Sequence, residues 1–205
     1  IFRQIRNGMS SGVTEFSGGI IIFFFNQAIL RFISEDALVS YTIISYVNTI
    51  VVMSMTGIVQ GSQPLTSYYF GKGEPKKYRK LLKYGILSAA VFSVVVTAGC
   101  YAGASGIVGI FLDGENPALS VYSIKVFRIF ILSFLLAGYN VVIGGYFASI
   151  EKAGFATCIS LTRSLIALVG CMMLLIVVLG GEGIWWSPLM AEAVCLVFSL
   201  LMLKR

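Results

Sequence analysis

Histidine is absent from the sequence, and charged residues make up only 12% of its 205 residues. Without histidine, His-dependent general-base catalysis and most zinc sites are excluded. The four cysteines stand singly within apolar runs and form no Cys-x-x-Cys pair, so we interpret them as small core or lipid-facing residues. A P-loop and a Gly-x-Ser-x-Gly elbow are also missing, and no sequence pattern therefore supports an enzyme.

Apolar residues dominate the chain instead. They account for 58% of it, and its mean hydropathy is +0.91, whereas soluble proteins are about 45–50% apolar and about 25% charged. This composition predicts a membrane protein. The net charge of +6 does not indicate a nucleic-acid partner, because the basic residues are concentrated in connections on one side of the membrane.

Long apolar runs predict an all-α polytopic protein with six transmembrane helices in a single lobe, residues 1–205. A helical span needs about 20 apolar residues. The runs lack the alternation of membrane strands, so helices are preferred over a barrel. Because the chain begins with Ile and ends directly after an apolar run, we expect it to be part of a longer protein. The predicted spans are residues 8–33, 37–70, 81–111, 118–149, 154–180 and 184–203.

Basic residues are distributed unequally between the two sets of connections. One set holds eleven of them: Arg3, Arg6, Lys72, Lys76, Lys77, Arg79, Lys80, Lys83, Lys152, Lys204 and Arg205. The opposite set holds only Arg31, beside the acids Glu35, Asp36, Asp113, Glu115 and Glu182. By the positive-inside rule, both ends of the chain are predicted to be cytoplasmic.

Glu15 is a carboxylate within an otherwise apolar and glycine-rich first span. It lies roughly 10 Å into that span at about 1.5 Å per residue. A charge at this depth costs at least about 2–3 kcal/mol unless it is paired, hydrated or protonated. Such an acid can exchange a proton or coordinate Na⁺, or it can bond structurally to a hydroxyl or amide of a neighbouring helix.

Other polar and aromatic side chains within the spans are candidates for lining a cavity. Arg163 either snorkels to the membrane interface or faces the cavity or an acid, and Glu192 in the last span is a candidate second buried acid. The remaining positions can equally serve ordinary contacts between helices. The predicted cavity-lining residues are Ser11, Asn26, Ser45, Asn48, Thr49, Gln60, Phe134, Asn140 and Arg163.

The stretch GIVQGSQPLTSYYFGKGEPKKYRKLLKYG, residues 57–85, resembles the multidrug and toxic compound extrusion family. That family carries a Q-G-x-x-P-L…Y…G signature before a basic cytoplasmic loop. Residues 137–154 and 181–194 also look like the family's segments at corresponding places. The residues that match the signature are Gln60, Gly61, Gln63, Pro64, Leu65, Tyr68 and Gly71.

The resemblance implies the C-terminal six-helix lobe of a two-lobe, twelve-helix transporter. The expected partners are the N-terminal lobe of the same protein, the bilayer and small organic cations, which leave the cell as Na⁺ or H⁺ enters by alternating access. Glu15 occupies the position of a family glutamate that contributes to cation binding, and Tyr139 is the expected tyrosine of the fourth span. No acid lies between Ser120 and Ile150, so a complete sodium site of the family type lacks its aspartate.

Two other functions stay open at the level of the sequence. A lipid-linked oligosaccharide flippase would share the two-lobe plan, but it needs several basic groups to meet pyrophosphate, and the acid Glu15 argues against it. The lobe could also be a structural or assembly protein without transport of its own. For the antiporter, the sequence predicts no resident cofactor, a coupling ion that is either Na⁺ or H⁺, and a place in the plasma membrane.

Overall fold

A computed structural model of the chain describes residues 18–112 and 117–204. Within these ranges all regular structure is helical, which confirms the predicted all-α membrane fold. Two 3₁₀ turns, Ile131–Ser133 and Gly180–Glu182, and one π turn, Thr162–Ile166, interrupt the α-helices. The α-helices are α1 (Gly18–Phe32), α2 (Asp36–Gly71), α3 (Pro75–Ala102), α4 (Ala104–Leu112), α5 (Pro117–Phe130), α6 (Phe134–Ser149), α7 (Ala153–Leu161), α8 (Ala167–Leu179) and α9 (Gly183–Leu203).

Four helical stretches of the described chain are long and apolar enough to cross a membrane. The last one, Ala153–Leu203, has 51 residues and would be about 75 Å long if it were straight. It therefore contains two crossings that fold back on each other. The four stretches are Asp36–Gly71, Pro75–Ala102, Pro117–Ser149 and Ala153–Leu203.

Glycines make the tight reversal between α8 and α9 possible. Gly180 has φ of +63°, a conformation that glycine adopts without the steric cost of a Cβ. A Cβ on Gly181 would lie 2.7 Å from the carbonyl oxygen of Phe32, and one on Gly183 would collide with the backbone of Leu175. The reversal can therefore press directly against α1 and α8.

The connection between α2 and α3 ends one helix and begins the next within three residues. Gly73 has φ of +68°, and the N–H of Glu74 donates to the carbonyl of Tyr69 at 3.0 Å. This is the glycine-ended arrangement that satisfies the last carbonyls of a helix. Pro75 then begins α3, where its missing N–H costs nothing.

Helix α6 lies at the centre of the lobe and packs closely against both α2 and α3. A Cβ on Gly138 would lie 2.8 Å from the Ser93 hydroxyl of α3. A Cβ on Gly145 would overlap the side chain of Val59 on α2. Small residues seven positions apart thus let two neighbouring backbones approach the same helix, as is common where membrane helices pack without water.

The exposed surface of α3 and α8 is apolar. Leu87, Val91 and Val95 of α3 and Val177 and Val178 of α8 are all exposed. Such faces would be unfavourable in water but suit contact with lipid tails. The chain is thus a multi-pass membrane protein with lipid-compatible outer helices around a packed interior.

Candidate functional site

A row of polar side chains follows one side of α2 over most of its length. Its members recur at three, four or seven residues, so they share a face of the helix, and each is exposed or half-exposed. We call this feature the α2 polar row. It consists of Thr42, Ser45, Thr49, Thr56, Gln60, Gln63 and Ser67.

The threonines of the α2 polar row present acceptors outward. Thr42, Thr49 and Thr56 each donate their hydroxyl proton to the carbonyl four residues earlier, at 2.9, 2.8 and 2.9 Å. Because a hydroxyl has one proton and two lone pairs, each of these oxygens can only accept a further hydrogen bond. The row therefore favours ligands that donate hydrogen bonds or carry positive charge.

Pro64 adds another acceptor beside Gln60. Proline lies within α2 and has no N–H, so the carbonyl of residue 60 loses its usual helical partner. The Gln60 side chain is exposed and makes no hydrogen bond to another described residue. A free backbone carbonyl and a free amide thus occur at one residue of the row.

A second polar feature lies inside the lobe, where α6, the π turn and α9 meet. The Nε of Arg163 donates to Oε1 of Glu192 at 2.8 Å. The Nδ2 of Asn140 donates to Oε2 of the same carboxylate at 2.7 Å and to the Glu192 carbonyl at 2.9 Å. Ser199 completes the group by donating to Oδ1 of Asn140 at 3.2 Å. We call these four residues the midplane cluster.

The depth of Glu192 in the membrane explains why its carboxylate needs these partners. Glu192 lies about 14 Å along α9, which is about 30 Å long, so it is near the middle of its crossing. An ionised carboxylate there is stable only when it is paired or hydrogen-bonded. Arg163 neutralises the charge, and Asn140 occupies the second oxygen.

The backbone is irregular on both sides of the cluster. Arg163 is part of the π turn Thr162–Ile166, and such turns are frequent at functional sites. In α9, Pro188 lies one turn before Glu192 and cannot donate to the carbonyl of Ile184. The hydroxyl of Ser187 takes over that role by donating to the Ile184 carbonyl at 2.7 Å.

The residues predicted to form the site are found in different environments. Ser11 and Glu15 lie outside the described residues. Phe134 and Asn140 are each only 1% exposed, so their contacts are within this lobe. Thr49 and Gln60 are exposed on the α2 polar row, whereas a third group is half-buried: Asn26, Ser45, Asn48 and Tyr139.

The structure brings together two predicted residues, Asn140 and Arg163, through an acid that was only a secondary candidate. For Arg163, snorkelling to the interface, a cavity-facing position and pairing with an acid were all open from the sequence, and its partner is Glu192. Ser199 was missed entirely, because a serine in an apolar helix is common and carries no signal of its own.

The sequence of the chain matches the model of the MatE family over residues 11–173. This chain belongs to the MatE family. No curated protein matches it in sequence. The match includes the α2 polar row, Asn140 and Arg163, and it confirms the resemblance seen in residues 57–85.

Solved MATE transporters share the fold of the whole chain. An outward-facing multidrug resistance MATE transporter of the MOP superfamily is 18% identical, with a TM-score of 0.90, and the match covers 98% of this chain and 45% of that one. An inward-facing structure is 18% identical, with a TM-score of 0.89 and coverage of 96% and 46%.

A MOP superfamily transporter from Pyrococcus furiosus is also 18% identical, with a TM-score of 0.85 and coverage of 98% and 46%. That transporter is described as having a binding pocket of reverse polarity, which suggests a different function for it. The chain thus spans about half the length of these MATE and MOP structures. MatE proteins are transporters, and the fold of this chain is that of one transporter lobe.

Proposed function

We propose that the full-length protein is an antiporter that exports organic cations across the plasma membrane while Na⁺ or H⁺ enters. This chain serves as its C-terminal lobe, with both ends in the cytoplasm. Transport proceeds by alternating access, in which a cavity between two lobes opens first to one side and then to the other. The observation that carries the proposal is the α2 polar row.

The chemistry of this row fits a cationic ligand. Its threonine hydroxyls have already given their protons to the helix backbone, and Gln60 offers two further oxygens. Oxygen acceptors stabilise ammonium groups by hydrogen bonding, and hard cations prefer oxygen ligands. Because the row is uncharged, it can hold a cation without binding it too tightly for release.

The comparison with solved structures supports movement of the lobe as one unit. The TM-scores against the outward-facing and the inward-facing transporter differ by only 0.01, at 0.90 and 0.89. The same lobe fold is therefore compatible with both orientations. In rocking-type transport the lobes keep their fold and change their relative position, and the close packing of α6 against α2 and α3 suits such rigid motion.

Glu15 is proposed as the coupling acid, and Tyr139 as a residue that assists it. Glu15 falls within the family match, and an acid inside a span is a natural carrier of a proton or a sodium ion. Tyr139 is half-buried on α6 and offers one hydroxyl oxygen to an ion. Na⁺ and H⁺ are the two candidate coupling ions.

A flippase for an anionic lipid-linked sugar would need free basic groups in the cavity. Arg163, the predicted basic cavity residue, is instead paired with Glu192. The α2 polar row carries no basic residue either. These two observations favour cations over pyrophosphate as the transported species.

The substitution Glu15→Gln in the full-length protein tests the proposal. We expect it to abolish ion-coupled efflux of a cationic dye while the protein is still made and folded, because the amide cannot carry a proton or a full negative charge. Glu35→Gln is the matched control, since Glu35 is exposed in the short connection between α1 and α2. Unchanged dye efflux in the Glu15 variant would disprove the coupling role, and loss of the folded protein would indicate a structural one.

A further inference from the structure

We propose that Glu192 is a second proton-binding acid of this lobe, and that a proton arriving on its carboxylate releases Arg163 from the midplane cluster. The inference rests on the proposed transport function, because it assigns a second, separate site at which an incoming proton changes the state of the transporter. It concerns only residues that the structure describes and does not depend on Glu15.

The hydrogen bond between Arg163 and Glu192 is of a kind that can break and re-form. Arg163 contacts the carboxylate through Nε alone, whereas the strongest arginine–carboxylate pairs use two parallel bonds. Neither of its terminal nitrogens bonds to a residue in the described part of the chain. The Arg163 side chain is 20% exposed, against 12% for Glu192. The guanidinium therefore has a side that the described part of this lobe leaves uncovered, and it can turn toward that side.

The carboxyl group stays supported after Arg163 leaves. Asn140 continues to donate to Oε2, where it lies 2.7 Å away. Ser199 holds the amide of Asn140 in this orientation by donating to its oxygen. A neutral carboxylic acid at Glu192 would thus keep a hydrogen-bond partner, and burying it costs far less than burying an ion.

Few other ionisable groups face Glu192. On α9 itself the neighbour is the Cys195 thiol, one turn along. Helix α6 contributes Asn140, which does not titrate, and the half-buried Tyr139. Helix α5 carries Lys125, which pairs with Glu182 just before the start of α9, and Arg128, whose guanidinium lies 4.9 Å from the ring centroid of Tyr101. Helix α8 contributes the half-buried Cys171, and α7 the exposed Cys158. Arg163 is therefore the charged group whose position responds to the protonation of Glu192.

Protonation of Glu192 is a simple proton transfer from water. A proton from water binds Oε1 of Glu192, and the hydrogen bond from Nε of Arg163 to that oxygen breaks. The guanidinium keeps all its protons and its charge, so the net charge of the cluster rises from zero to +1. The π turn that carries Arg163 and Pro188 near Glu192 allow both backbones to adjust when the bond breaks.

Infrared difference spectra of the full-length protein between neutral and acid buffer test the inference. We expect a carbonyl stretching band of a protonated, hydrogen-bonded carboxyl group to appear in acid, and to disappear in Glu192→Gln. The same band must persist in Glu15→Gln, so that failure of this proposal is distinguished from failure of the role proposed for Glu15. A band that survives in Glu192→Gln at full intensity overturns the inference.

A second variant covers the case in which Glu192→Gln does not fold. Glu192→Asp retains a carboxyl group but shortens its reach to Asn140 and Arg163, so the band should shift in frequency or in the pH at which it appears. Hydrogen–deuterium exchange of the backbone amides measures the release of Arg163. In the wild type, the protection of the amides across Thr162–Ile166, corrected for the intrinsic pH dependence of amide exchange, should decrease in acid. An unchanged band in Glu192→Asp, or amide protection across Thr162–Ile166 that stays the same in acid, contradicts the proposal.

Discussion

Arg163 and Glu192 are 29 residues apart in the chain, yet a single 2.8 Å hydrogen bond joins them near the middle of the membrane. Both side chains are largely buried, at 20% and 12% exposure. The pair connects the π turn of one crossing to the centre of the next. The packing of α8 against α9 therefore depends on charge neutralisation as well as on apolar contact.

Removing one member of this pair should be costly, and removing both should not. We expect Arg163→Met to destabilise the full-length protein by about 3–5 kcal/mol, because it leaves a buried carboxylate unpaired. The double variant Arg163→Met/Glu192→Leu should recover most of that loss, since apolar side chains of similar size need no partner. Unfolding in detergent micelles, with its midpoint followed for each variant, measures both effects.

The exposed pair of Lys125 and Glu182 provides the control for the variants of Arg163 and Glu192. Both side chains are 54% exposed, and a pair of this kind contributes only about 0–1 kcal/mol. Lys125→Met should therefore leave the unfolding midpoint nearly unchanged. If Arg163→Met were equally harmless, the midplane cluster would have no role in stability.

Gly145 permits a close contact between α6 and α2 and should not tolerate even one added carbon. Gly145→Ala places a methyl group against Val59 of α2, and we expect a loss of about 1–3 kcal/mol from overpacking. Gly99→Ala in α3 is the control, because no atom lies within 4 Å of its added carbon. That variant should be neutral or more stable by up to about 1 kcal/mol. Equal unfolding midpoints for the two variants would contradict the packing described for α6.

Gln60 should contribute to the affinity for organic cations without contributing to stability. Its side chain is exposed and free of described partners, so Gln60→Leu removes one acceptor and no internal contact. Loss of one hydrogen bond should raise the half-saturating concentration of a cationic substrate about 2- to 10-fold. The measurement is transport as a function of substrate concentration. Ser88→Leu is the control, because Ser88 is exposed on α3 next to the exposed Leu87. An equal rise for Ser88→Leu would indicate a general effect of polarity.

Much of the architecture could be predicted from the sequence. Apolar length is enough to identify membrane helices, because lipid requires every backbone polar group to be bonded within the helix. The polar row of α2 was also visible, because Ser45, Thr49 and Thr56 recur at i, i+4 and i+11, which places them on one face of a helix. These features depend on local periodicity alone.

The pairing of Arg163 with Glu192 could not be predicted in the same way. Counted from the glycine reversal, Arg163 lies about 25 Å into its crossing and Glu192 about 14 Å into the next, which suggests different depths. In the structure Gly183 packs against the backbone of Leu175, so the last turn of α8 extends past the start of α9. The long arginine side chain spans the rest of the difference. Contacts of this kind depend on how two helices slide past each other, and periodicity carries no information about that.

The decisive measurement is substrate movement in proteoliposomes that contain the full-length protein and an imposed ion gradient. Our account predicts that a gradient of Na⁺ or H⁺ drives a fluorescent organic cation against its own concentration gradient in the opposite direction, and that collapse of the ion gradient stops it. If the organic cation moved only down its own gradient whichever ion was supplied, the protein would not be an ion-coupled antiporter.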